Sequence, residues 1–246
     1  MKVFATSDLH GNLEGLDPKN CDLILIAGDV APLRGFAEED VRSQVAWMND
    51  VFAPWCEKYA GSAIRLIPGS HDLFAEKPDL LAKVRWAKNT RMLIDEDDEV
   101  MGLGIYGTPW VPKINGRWAF ESKYREQLGE KFAAIPFKED ILLTHTPPRI
   151  RHKKIDVSIE RNTPHLGSLE LTDAILARQS RFVFCGHIHT GDHNPLALTH
   201  PDGSETILWN VSRLNEDYRI CYEPLFLNCE MRLKVRPDVS FLKGGN

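Results

Sequence analysis

The 246-residue sequence lacks most features that would assign a chain quickly to a class. Its strongest apolar run, Leu23 to Ala27, is far short of the roughly 20 residues a membrane helix requires, so no membrane partner is expected. The opening Met1-Lys2-Val3-Phe4-Ala5 meets a charge at Asp8 too early for a signal-peptide core, which makes the cytoplasm the expected location. Cysteine is sparse: Cys21, Cys56, Cys185, Cys221 and Cys229 lie far apart with no C-x-x-C pair, as buried thiols of a reducing compartment do. Basic charge is not in excess either. Lys and Arg number 30 against 35 Asp and Glu, a net charge of −5 that argues against a polymeric nucleic acid as partner. Low-complexity stretches, fixed-period repeats and linkers are also missing, and the sequence reads as one domain, residues 1–246.

What is present is a balance of hydrophobic and charged residues typical of globular proteins, arranged in short β-rich runs. Val3–Thr6, Leu23–Ala27, Ala63–Ile67, Ile141–Leu143 and Arg181–Cys185 are continuous apolar runs that suit strands buried on both faces. Val100–Tyr106, Pro195–Thr199 and Thr206–Val211 read as further strands. From Glu38 to Trp55, Val41, Val45, Met48 and Phe52 form one helical stripe that Pro54 kinks or ends. A second helix is predicted from Ser168, as N-cap, to about Arg178. The alternation gives an α/β architecture, with one sheet or two stacked sheets flanked by helices. Residues 108–120, rich in Pro, Gly and Trp, read as an ordered surface loop that could rim a site.

The informative pattern lies just beyond the strands. The five apolar runs are succeeded by Asp8-Leu9-His10, Gly28-Asp29, Gly69-Ser70-His71-Asp72, Thr144-His145 and Gly186-His187-Ile188-His189. Ligand sites of open α/β sheets gather outside the carboxyl ends of the strands. A lone Asp there is usually a turn former, and a lone His a surface or core residue. Five strand ends that all deliver Asp or His have no obvious stabilising purpose, because clustered carboxylates and imidazoles are costly to desolvate together without a cation. Oxygen and imidazole ligands without thiolate suit Mn²⁺, Fe²⁺ or Zn²⁺. Roughly seven candidates exceed the four that saturate one zinc, which argues for two divalent metal ions.

These ordered blocks resemble the calcineurin-like metallophosphoesterase superfamily. Tyr106-Gly107-Thr108-Pro109-Trp110, Trp118-Ala119-Phe120 and Thr144-His145-Thr146-Pro147-Pro148 are similar to the branch holding class III cyclic-nucleotide phosphodiesterases and metallophosphoesterase-domain proteins. The resemblance implies a four-layer α/β sandwich, two stacked mixed β-sheets flanked by α-helices. It implies that Asp8, His10 and His189 hold the first metal, that Asp29 bridges, and that His145, His187 and residue 70 hold the second. It places His71 near the substrate phosphate as proton donor, with Asp72 orienting its ring. Residue 70 departs from the pattern: the superfamily usually has Asn there, and Ser70 offers a shorter, neutral hydroxyl. Either the second metal is held less tightly or Ser70 simply fills the turn.

The activity implied is hydrolysis of a small phosphoester by attack of a metal-activated hydroxide, with a phosphodiester, cyclic or nucleotide-like, favoured. A phosphomonoesterase, a protein phosphatase and a catalytically faded interaction module are the alternatives. Arg34 and Arg149 are candidates to reach a non-bridging oxygen, and Trp110 to stack on a base.

Overall fold

A computed structural model describes residues 1–151, 153–160 and 162–229. The single-domain expectation extends to residue 246, so its last part, 230–246, lies outside the described residues. The strands form two mixed sheets. In the first, β1 (Lys2–Thr6), β2 (Leu23–Ala27), β3 (Ala63–Ile67) and β4 (Thr90–Met92) run parallel, and the late strand β11 (Leu225–Asn228) closes the other edge antiparallel to β1. In the second, β6 (Leu103–Thr108), β7 (Ile141–Thr144), β8 (Phe182–Cys185) and β10 (Glu205–Asn210) are parallel, flanked by antiparallel edges β5 (Glu96–Val100) and β9 (Leu196–Thr199).

The alternation of side chains along a strand explains why both sheets are covered on two faces. Val3, Ala5, Leu23, Leu25 and Ala27 point toward Ile105, Ile141, Leu143, Phe184 and Trp209 of the other sheet. Their neighbours Phe4, Ile24 and Ile26 point outward onto Val41, Val45, Met48 and Phe52. On the far side, Tyr106, Leu142, Val183 and Leu208 pack on α4 (Arg125–Ala133) and α5 (Leu169–Arg178) through Leu128, Phe132, Leu171 and Ile175. Helix, sheet, sheet and helix are thus stacked as a four-layer sandwich. Among the described residues no helix is long and apolar enough to cross a membrane.

Two predicted elements come out differently. The helical stripe from Glu38 is not one kinked helix. It is α1 (Glu38–Trp47), a π-helical stretch Met48–Phe52, and α2 (Ala53–Lys58) with Pro54 in its first turn. Proline lacks a donor and clashes with the carbonyl four residues back; the wider π turn, with Ala53 N–H donating to Met48 O, absorbs that defect. Val100–Tyr106 is not a single strand. Met101 and Gly102 take φ of 51° and 82°, two successive left-handed residues that turn β5 back on β6 as a hairpin. The helix at 168 forms as predicted: the Ser168 hydroxyl accepts from Leu171 N–H at 3.1 Å, capping α5. A short helix α3 (Pro78–Leu81) completes the outer layer on the first sheet.

Candidate metal centre

The carboxyl ends of β1, β2, β3, β7 and β8 open on one cleft, and their loops carry the predicted residues. Asp8, His10, Asp29 and His187 adopt φ of 53°, 44°, 52° and 68°, a left-handed conformation unfavourable for residues with a Cβ. Such strain collects where structure is over-determined by its surroundings. Two glycines show how tightly the loops close. A Cβ on Gly28 (φ +101°) would run into the His145 ring, and one on Gly186 into Ser7 Oγ and the Asp8 carboxylate.

Asp8, His10 and His189 bring one ligand atom each within 4.8 Å of one another, as do Asp8, Asp29 and His145, and His10, Asp29 and His71. Asp8 is wholly buried; its oxygens accept from His187 N–H at 3.1 Å and from the Ser212 hydroxyl at 2.7 Å. Asp29, also buried, accepts from His71 N–H at 2.7 Å. Its two oxygens lie 3.2 Å from His145 Nε2 and 3.7 Å from His10 Nε2. The rings are set by backbone carbonyls: His145 Nδ1 donates to Ala27 O at 2.9 Å, and His189 Nδ1 to Asn215 O at 3.0 Å. Each Nε2 is thereby presented to the carboxylates, the arrangement in which a carbonyl fixes the tautomer of a metal-ligating imidazole.

These residues fit a cation. His145 Nε2 is buried 3.2 Å from Asp29 and makes no hydrogen bond, a buried polar position that a cation between the two would satisfy. His10 Nε2 and His189 Nε2 stand 3.2 Å apart, close to the roughly 3.0–3.4 Å separating two nitrogens that share one metal at about 2.1 Å. Electrostatics agree. Burial raises a carboxyl pKa, yet the hydrogen bond and charge of His189 hold Asp8 well below the usual range, and His145, His71 and His10 do the same for Asp29. Burial likewise opposes the charged form of His145 and His189, but Asp29 and Asp8 push them up to about 9. Protons on these two imidazoles therefore stand in for cations. Burial pulls His10 and His187 down to about 3.

The remaining predicted residues are placed less uniformly. His187 holds Asp8 through its backbone N–H, and its ring stands 5.0 Å from that of His145. Ser70 is buried beside Gly69 at the end of β3, and its carbonyl accepts from Ala119 N–H at 3.0 Å. His71 faces the cleft with Nε2 3.9 Å from Asp29. The reading of Asp72 as the residue orienting that ring is corrected. Its carboxylate turns inward to accept from the backbone N–H of Val30, Ala31 and Gly69 at 2.8–3.1 Å, tying the β2 and β3 loops together. Burial, then the charge of Asp29, pushes Asp72 up to about 7 against those three donors. Trp110, the candidate to stack on a base, does not line the cleft beside His10 and His71: its Nε1 donates to Asp95 at 2.8 Å and Lys131 lies over its ring. Arg149 opens on a separate cavity with Lys123 and Glu170, whereas Arg34 lines the cleft beside His10 and His71.

Sequence reasoning missed Ser212, Asn215 and Tyr218, and gave Trp118 only as part of the 108–120 loop that could rim a site. The ring of Trp118 lies 4.5 Å from that of His71, and Tyr218 meets His10 edge-on at 4.8 Å. Ser212 carried a usable signal, since it comes after β10 as the ligands come after the other strands; Asn215 and Tyr218 lie in an irregular loop that carries none.

Comparison with known proteins agrees with this geometry. The sequence profile described as calcineurin-like phosphoesterase matches residues 1–191. Human metallophosphoesterase domain-containing protein 1 is 27% identical over 92% of this chain and 70% of its own length. The UPF0046 protein T07D4.2 of Caenorhabditis elegans is 38% identical over 42% of this chain, a segment spanning 25% of that relative. A solved crystal structure at 14% identity superposes with a TM-score of 0.62, covering 85% of this chain and 89% of the other, which shows the shared fold.

Proposed function

The chain belongs to the calcineurin-like phosphoesterase family, and from that premise we propose that it is a two-metal hydrolase of small phosphodiesters. The observation that carries the reading is the pair of imidazoles, His145 and His189, whose Nε2 atoms are aimed at buried Asp29 and Asp8 by backbone carbonyls. Asp8, His10 and His189 would hold one ion; His145 and His187 would hold the second, with Asp29 shared between them. Bound there, divalent cations supply Lewis-acid charge that acidifies water and neutralises phosphoryl oxygens.

The chain's own groups supply the rest. His71 stands at the cleft edge of the cluster, where it delivers a proton to the departing oxygen. Asp72 holds the β2 and β3 loops at fixed separation, so that Asp29 and His71 keep their relation. The adjoining cleft, about 720 Å³, is walled by Leu13, Leu33, Phe36, Leu214 and Tyr218, and its formal charges are one Arg34 and one Glu14. A near-neutral, apolar wall favours a singly charged diester with an organic arm over a doubly charged monoester. The cytoplasm remains the proposed location and a small molecule the proposed partner.

The test is turnover by the dialysed chain reloaded with Mn²⁺, Fe²⁺ or Zn²⁺, on bis(p-nitrophenyl) phosphate, p-nitrophenyl phosphate and a phosphopeptide. The diester is expected to be hydrolysed fastest. Faster phosphopeptide hydrolysis would make the chain a protein phosphatase. Metal binding with no hydrolysis of any ester would leave an interaction module, the reading that Ser70 favours.

A further inference from the structure

We propose that Trp118 is the positioning residue for His71, and that residues 110–121 form the brace that carries it. The inference rests on the reading of His71 as proton donor. With Asp72 turned to the backbone, the His71 ring is oriented by rings: the edge of His10 at 4.6 Å and 79°, and Trp118 at 4.5 Å and 31°. A side chain that must present one nitrogen to a departing oxygen needs its rotamer locked by packing, and the indole tilted 31° against the ring supplies that packing.

The brace is itself held at several points. Trp118 N–H donates to Glu121, whose carboxylate also accepts from the backbone N–H of Ile114 and Gly116. Val111 N–H donates to Phe120 O at 3.0 Å and Ser122 N–H to Val111 O at 3.0 Å, closing the loop on itself. Two bonds fasten it to the β3 loop: Ala119 N–H to Ser70 O at 3.0 Å, and Phe120 N–H to Glu76 Oε1 at 2.8 Å. Residue 119 therefore grips residue 70 while residue 118 faces residue 71, and the register of brace on loop is fixed. Phe36 meets Trp118 edge-on at 5.0 Å, with the Arg117 guanidinium over Phe36 at 4.3 Å. Trp118 thus has a second ring contact besides His71.

The test compares two diesters on the metal-loaded full chain. Diphenyl phosphate has the poorer leaving group and needs the proton; bis(p-nitrophenyl) phosphate needs it less. Trp118→Ala is expected to lower kcat about 10- to 100-fold on diphenyl phosphate and about 3-fold on the nitrophenyl ester, with KM held within about 2-fold. Trp118→Phe, which keeps a ring, should restore most of the loss. His71→Ala combined with Trp118→Ala should be no worse than His71→Ala alone, because both act through one group. Equal losses on the two esters in Trp118→Ala, while His71→Ala still distinguishes them, would overturn the positioning role alone. A His71→Ala variant that fails to distinguish the esters would remove the proton-donor reading and the proposal with it.

Discussion

On one side of Asp29, the donor atoms of Asp8 and His189 are held by Ser212, His187 N–H and the Asn215 carbonyl, and His10 closes the set at 3.2 Å. On the other side His145 alone is held in that way, by the Ala27 carbonyl; His187 stands a ring away and residue 70 is a serine. The difference lies in the shell behind the ligands as well as in their number. Hydrogen bonds from behind orient a ligand before any ion arrives, so on the proposed reading the side of Asp8 and His189 would bind without reorganising. The side of His145 must draw in His187 and has no amide oxygen to complete it. The two sites should therefore differ in affinity.

The largest effect expected is at the residue both sides share. Asp29→Asn should lower diesterase activity by about 10³-fold or more and leave less than one ion per chain by elemental analysis. Retention of two ions would rule out a shared bridge. Next comes support for the stronger side: Ser212→Ala removes a donor to Asp8 and should weaken the tighter site about 10- to 100-fold in a metal titration, sparing the weaker one. Ser70→Asn approaches the contrast from the opposite direction. It should tighten the weaker site roughly 10-fold, so that more metal survives dialysis. Unchanged occupancy would mean that Ser70 only fills the turn.

The smallest expected effect is on stability against pH. His145 and His189, raised from 6.5 to about 9, stabilise the metal-free fold fully below pH 6.5, and that contribution is lost as pH rises through 9. Asp72, raised from 3.8 to about 7, acts in the same sense at lower pH: its contribution is lost as pH rises from 3.8 through 7 and is largely gone before the two imidazoles titrate. The melting temperature of the metal-free chain should fall roughly 5–10 °C between pH 6.5 and 9, while the metal-loaded chain, with both imidazoles already deprotonated, should change little. A parallel decline in both forms would show that these imidazoles are not the ligands.

Much of this was legible in the sequence because strand ends are legible: short apolar runs that stop at Gly-Asp, Gly-Ser-His-Asp or Gly-His-x-His mark where the chain leaves the sheet. The core strands and the capped helix at Ser168 came from period and turn chemistry, whereas the choice of two sheets over one came from the family resemblance. Side-chain direction after the strand did not. Asp72 is the residue after His71, yet the turn sends its carboxylate down to Val30 and Ala31 rather than across to the ring. Trp110 and Trp118 are equivalent as letters in a Pro- and Gly-rich loop; only the anchoring of one by Asp95 and the other's place against His71 separates them. β4, with three residues, is too short to show a period, and Met101-Gly102 hid a hairpin inside an apolar run.

The proposed pair of unequal metal sites is probed head-on by titrating the metal-free chain with Mn²⁺ or Zn²⁺, with calorimetry as the readout and elemental analysis after dialysis as the check. Two ions per chain with separable affinities are expected, each uptake releasing protons at pH 7 as His145 and His189 become neutral. A single site, or uptake without proton release, would contradict the two-metal centre built on those imidazoles.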